Sequence, residues 1–88
     1  VFDWGEKKYA ENLRDHKIRF DRAYEFDMGK IRILPTYPGT DPVRYLILGA
    51  LDGKLYSAVV TPRGGLLWLI SLRRANRREE KLYATSSV

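Results

Sequence analysis

Four guanidinium groups fall within six residues in the run Arg73-Arg74-Ala75-Asn76-Arg77-Arg78. Arginine presents a fixed fork of donors that suits phosphate. The run passes from the end of an apolar strand into a helix start, where free backbone N–H groups favour anions. A phosphate could be gripped by both, although the run also fits a solvated basic helix end. Trp4, Lys8, Asn12 and His16 recur at intervals of four. On a helix they would form one stripe that drifts by ~40° per step. Asparagine is a poor mid-helix residue, so Asn12 is expected to have a specific hydrogen-bond partner. His16 is the only histidine, and histidine is the side chain that trades protons near neutrality. The plainer reading is a packed Trp4, a structural Asn12 and solvated Lys8 and His16. Arg44 and Arg63 each lie near a strand end, where arginine serves solubility or reaches a site at the end of the sheet.

Charge supports a polyanionic partner. Residues 1–53 hold nine basic and nine acidic side chains, whereas residues 54–88 hold seven basic and two acidic ones. The net charge of +5 therefore resides in the C-terminal part. RNA, DNA or an acidic protein surface would complement it. Other chemistries are set aside. There is no cysteine, so disulfides, thiolate nucleophiles and Cys-based metal sites are excluded. One histidine among scattered carboxylates predicts no metal, and no glycine-rich phosphate loop is present, so no cofactor is expected. No apolar run approaches the ~18–20 residues needed to span a bilayer. Nothing reads as a signal peptide. A cytoplasmic protein with no membrane partner is expected.

The elements that must position these residues follow from pattern. With 88 residues, the chain suits a single domain over 1–88. Phe2 and Trp4 fit a short first strand. Glu6 to Asp15 predicts a helix, and Asp21 is expected to cap a second one through about Asp27. Ile31 to Pro35, Val43 to Ala50, Lys54 to Thr61 and Leu66 to Arg73 read as strands. Tyr37 to Pro42 reads as a turn-rich loop. Asp52-Gly53 marks a hairpin, and Pro62-Arg63-Gly64-Gly65 another turn. Asn76 with Glu79 fits a capping box opening a last helix through about Tyr83. The expectation is an α+β fold. It has a small antiparallel sheet of three to four strands, two N-terminal helices and a short C-terminal helix, with the helices on one face of the sheet.

These residues also resemble a known family. Phe2-Asp3-Trp4 followed by Lys8, Asn12 and His16 is similar to the opening signature of the BrnT toxin family. Phe20, Ala23, Arg44 through Gly49, Leu55 through Arg63, Ile70-Ser71-Leu72-Arg73-Arg74-Ala75, and Arg78, Glu79 and Tyr83 continue the match in order. The chain departs from the family pattern at four positions. Gly5 stands where Asp is preferred, Asp15 where a basic residue is usual, Lys17 where Gly follows His, and Trp68 where an Arg is usual.

The resemblance implies a RelE-like fold and a ribonuclease toxin of a type II toxin–antitoxin pair. It implies a DNA-binding antitoxin of ribbon–helix–helix type, with promoter DNA reached only through that antitoxin. RNA cleavage without a metal can use the 2′-OH as nucleophile. Arg63, Arg73 and Arg74 are expected to stabilise charge on the phosphate, with Lys8 or His16 moving the proton. Arg44, Trp68, Arg77 and Arg78 are expected to bind substrate, Trp68 by stacking a base. The alternative is a module that binds RNA or an antitoxin without turnover.

Overall fold

The computed structural model describes residues 1–35 and 43–85, so the expected loop from Tyr37 to Pro42 lies outside the described residues. The chain opens with strand β1 (Phe2–Asp3) and helix α1 (Glu6–His16). A 3₁₀ helix (Phe20–Glu25) follows, where a second α-helix capped by Asp21 was expected. Arg19 occupies the cap position, and the Asp21 carboxylate accepts from the Arg19 guanidinium at 2.6 Å, so it does not cap the backbone. Trp4 precedes α1 and leaves the helical stripe. It packs instead against Phe20, with ring centroids 5.9 Å apart, and beside Tyr9.

Strands β2 (Arg32–Pro35), β3 (Tyr45–Leu51), β4 (Lys54–Arg63) and β5 (Leu66–Arg74) complete the sheet before helix α2 (Arg77–Thr85). The sheet has five strands, not the three to four expected, because the short β1 joins its edge, in the order β1-β5-β4-β3-β2. It is mixed rather than purely antiparallel, because β1 pairs with β5 in parallel, Phe2 opposite Leu67 and Asp3 opposite Trp68. Both hairpins turn on two residues of positive φ: Asp52-Gly53 (52° and 76°) and Gly64-Gly65 (58° and 79°). Such turns match the twist of the flanking strands. Pro62 and Arg63, expected in a turn, therefore belong to β4. Pro62 is tolerated because β3 ends opposite Val60, leaving that side of β4 without a partner strand.

One irregularity decides which side chains share a face. Val59 pairs with Ser71 and Val60 with Leu69, so Ile70 is an extra residue on β5. This bulge lets Leu69 and Leu72, of opposite parity, both point into the core, where they are 2% and 0% exposed. It equally brings Trp68 onto the same outer face as Ser71 and Arg73. The main core lies on the inner face, where Phe2, Ile18, Phe20, Ala23 and Phe26 cover Ile47, Leu51, Ala58, Val60, Leu69 and Leu72. Gly49 is required there, since a Cβ would lie 2.7 Å from the Phe26 ring.

Helix α2 packs on the other face, which corrects the expectation that all helices share one side. Leu48 and Ser57, both outward by strand alternation, are fully buried. The Tyr83 hydroxyl donates to the Lys30 carbonyl at 2.6 Å, and the Arg32 guanidinium lies 5.2 Å from the Tyr83 ring centre. These contacts tie the C-terminal end of α2 to the chain beside β2.

Candidate functional site

The stripe on α1 meets the arginine run at β5. Asn12 is buried, and its side-chain amide pairs with both backbone groups of Leu72. Nδ2 donates to the Leu72 carbonyl at 2.8 Å, and Oδ1 accepts the Leu72 N–H at 2.9 Å. Nδ2 also donates to the Ile18 carbonyl at 3.2 Å. The expected specific partner of Asn12 is thus the free edge of β5, one residue before Arg73. Lys8 lies one turn earlier on α1, is exposed, and pairs with the half-buried Glu11 at 3.7 Å. His16, in the last turn of α1, is exposed.

Strand alternation separates Arg73 from Arg74. Arg74 faces inward along the sheet, 5.5 Å from the ring centre of Tyr56. Arg73 faces outward and donates through Nη1 and Nη2 to Glu79, at 2.9 and 2.8 Å. The expected capping box is present: the Glu79 N–H donates to Asn76 Oδ1 at 2.8 Å and the Asn76 N–H to Glu79 Oε1 at 2.9 Å. Ser57 Oγ donates to Glu79 Oε2 at 3.4 Å. Burial alone pushes the Glu79 carboxyl up. Hydrogen bonds from Arg73, the Asn76 N–H and Ser57, with the charge of Arg73, outweigh it and hold the group below the usual carboxylate range. Sequence spacing identifies Glu79 as a cap. Its second role, fixing the Arg73 guanidinium, depends on how the chain turns from the end of β5 into α2, which spacing does not reveal.

A cleft of about 300 Å³ opens beside this group, bordered by Arg73, Asn76, Arg78, Glu79, Leu46 and Val59 among others. Arg73 and Arg78 thus both border the cleft near the N-terminus of α2, while Arg77 is exposed on its first turn. The second outward group lies toward the β4–β5 turn. Arg63 is exposed and stacks 4.5 Å from the ring centre of Trp68. Trp68 sits opposite Thr61, four residues from Ser57 and hence ~13 Å along the strand from Arg73 at ~3.3 Å per residue. Arg44 is half-buried just before β3, and Thr61 Oγ1 donates to the neighbouring Val43 carbonyl at 2.7 Å. Lys8, His16, Arg63 and Arg74 do not border the cleft.

A family model described as "Ribonuclease toxin, BrnT, of type II toxin-antitoxin system" matches residues 4–79, from Trp4 to the carboxylate that holds Arg73. The chain belongs to the BrnT family. Among solved structures it is similar to the Brucella abortus ribonuclease toxin BrnT. The TM-score is 0.70 at 25% sequence identity, covering 86% of this chain and 96% of that one. No curated protein matches. Membership of the BrnT family implies an RNA target and an antitoxin partner. It also makes sense of one departure. The residue after His16, glycine in the BrnT pattern, is Lys17, and it adopts a left-handed conformation with φ 61° as the cap of α1. Glycine enters that region without steric cost.

Proposed function

We propose that this BrnT-family chain is a metal-independent endoribonuclease acting on the outer face of its sheet. The observation that carries the reading is the cleft where Arg73 and Arg78 converge at the start of α2. In the proposed reaction the 2′-oxygen attacks the adjacent phosphorus and the bond to the 5′-oxygen breaks. A 2′,3′-cyclic phosphate and a free 5′-hydroxyl result. The proton leaves the 2′-oxygen for a base, and another proton reaches the 5′-oxygen. Arg73, oriented by Glu79, and Arg78 stabilise the extra negative charge on the phosphorane. Arg63 and Arg74 extend the positive field on either side. Lys8 or His16, on the α1 side of the β5 edge and outside the cleft, moves the proton for an RNA strand that wraps around that edge. Arg44, Trp68 and Arg77 position the strand. In the cell, we place the protein in the cytoplasm. There it is neutralised by a ribbon–helix–helix antitoxin that alone contacts promoter DNA.

The test is purified protein incubated with RNA in EDTA. Cleavage with cyclic-phosphate ends is the expected outcome. Intact RNA, with the protein folded and free of antitoxin, would overturn the reading. The Arg73–Glu79 pair favours a second reading, since its carboxylate already occupies the arginine fork. In that case the protein binds RNA without turnover, and affinity falls steeply with salt while no product forms.

A further inference from the structure

Neither core packing nor charge pairing accounts for the Arg63–Trp68 stack. Trp68 lies outside the main hydrophobic cluster, on the outer face and half-buried. The bulge at Ile70 brings it there, and its backbone is held between Thr61 on β4 and Asp3 on β1. The backbone that carries the indole is therefore fixed, while the group covering the ring is an exposed side chain at the end of a hairpin. Among the described residues, no ion pair is made by Arg63. Arg14, Arg19, Arg22 and Arg73 all have carboxylate partners. The result is an aromatic plane on a doubly paired strand beside an uncompensated guanidinium, on the face that carries the Arg73–Arg78 cleft.

We propose that Trp68 is a stacking subsite for one unpaired nucleobase of single-stranded RNA, and that Arg63 takes the phosphate next to that base. This deepens the ribonuclease reading and rests on it. A planar cation over an indole mimics the base it makes way for, because both interact with the ring face. Once displaced sideways, the guanidinium keeps its charge for the adjoining phosphate. A base inside a duplex has both faces covered by its neighbours. The subsite therefore selects single strands without selecting a sequence, since every base has a ring face.

Intrinsic tryptophan fluorescence reports the event. The probe is a short single-stranded oligodeoxynucleotide, which lacks the 2′-OH that the cleavage mechanism needs. It is compared with the same strand in a duplex and with an abasic strand of equal charge. The wild type should bind the single strand with quenching, and the duplex and abasic strands at least about five-fold more weakly, as loss of one stacked base implies. Trp68→Ala should lose a similar factor. Trp68→Phe should keep most of the affinity; both variants are read by the anisotropy of a dye-labelled strand, because Trp4 packs against Phe20 in the core and away from the subsite. Equal binding of the abasic strand by the wild type would overturn the subsite, even if Trp68→Ala failed to fold. Undiminished binding by folded Trp68→Ala would overturn it too. RNA cleavage is assayed in parallel. Cleavage without base-dependent binding removes the subsite and leaves the ribonuclease reading. Base-dependent binding without cleavage does the reverse, and no binding or cleavage removes both.

Discussion

Asn12 and Glu79 are buried polar side chains whose partners define their worth. Asn12 satisfies three backbone groups, at Leu72 and Ile18. Truncation leaves those three groups without that partner, so Asn12→Ala should cost about 3 kcal/mol or more, at about 1–3 kcal/mol for each buried group left unsatisfied. A shift of the urea midpoint checks this. Glu79 combines a helix cap with an ion pair whose arginine partner is 30% exposed, so solvent screening discounts it. Glu79→Gln should therefore cost about 1–3 kcal/mol at neutral pH. Because the folded-state carboxyl is held below its usual range, its contribution is present above the unfolded-state value, near pH 4.3. It is lost as pH falls through the lower folded-state value. Urea melts at neutral pH and at about pH 3 should show wild type and Glu79→Gln converging on acidification.

At the scale of elements, the cap of α1 carries avoidable strain. Lys17 holds a left-handed conformation at φ 61°, which costs a residue with a Cβ about 1–2 kcal/mol. Lys17→Gly should stabilise the protein by about 1 kcal/mol and raise its melting temperature by about 4–8 °C for a domain this small. Thermal melts followed by circular dichroism would show the shift. The two hairpin turns and the Asn76–Glu79 capping box were legible because each depends on residues within a few positions of one another. Asn12 was legible as an anomaly in its helix, though its partner 60 residues away was not. The opposite placement of α2 was foreshadowed by Tyr45-Leu46-Ile47-Leu48, an apolar run on both faces of a strand, as sheets covered on both sides require. The arginine run misled in one respect. Adjacency in sequence suggested a joint grip by Arg73 and Arg74, but a strand sends neighbours to opposite faces. The Ile70 bulge left no mark in composition, so parity alone sets Trp68 on the face opposite to Arg73 rather than on the same one.

Across the whole molecule, cations divide by their company. In the N-terminal half, Arg14, Arg19 and Arg22 are neutralised by Asp15, by Asp21, and by Glu25 with Asp52. In the C-terminal part, no described salt bridge involves Arg63, Arg77 or Arg78. The formal excess of charge is thus also an excess of uncompensated charge. Each such arginine that replaces a counterion on single-stranded RNA should add about −0.7 to the slope of log affinity against log salt. Arg78→Gln should reduce the magnitude of that slope by about this amount, whereas Arg22→Gln should leave it unchanged. Binding titrations at several salt concentrations distinguish the two.

The Asn12 amide also decides where the sheet stops. β1 shields β5 only at Leu67 and Trp68, and beyond that point one carboxamide offers Leu72 the donor and acceptor that another strand would supply. A bare strand edge is a template for other chains. Asn12 therefore acts as a chain terminator for β-sheet growth, closing against self-assembly an edge that β1 is too short to cover.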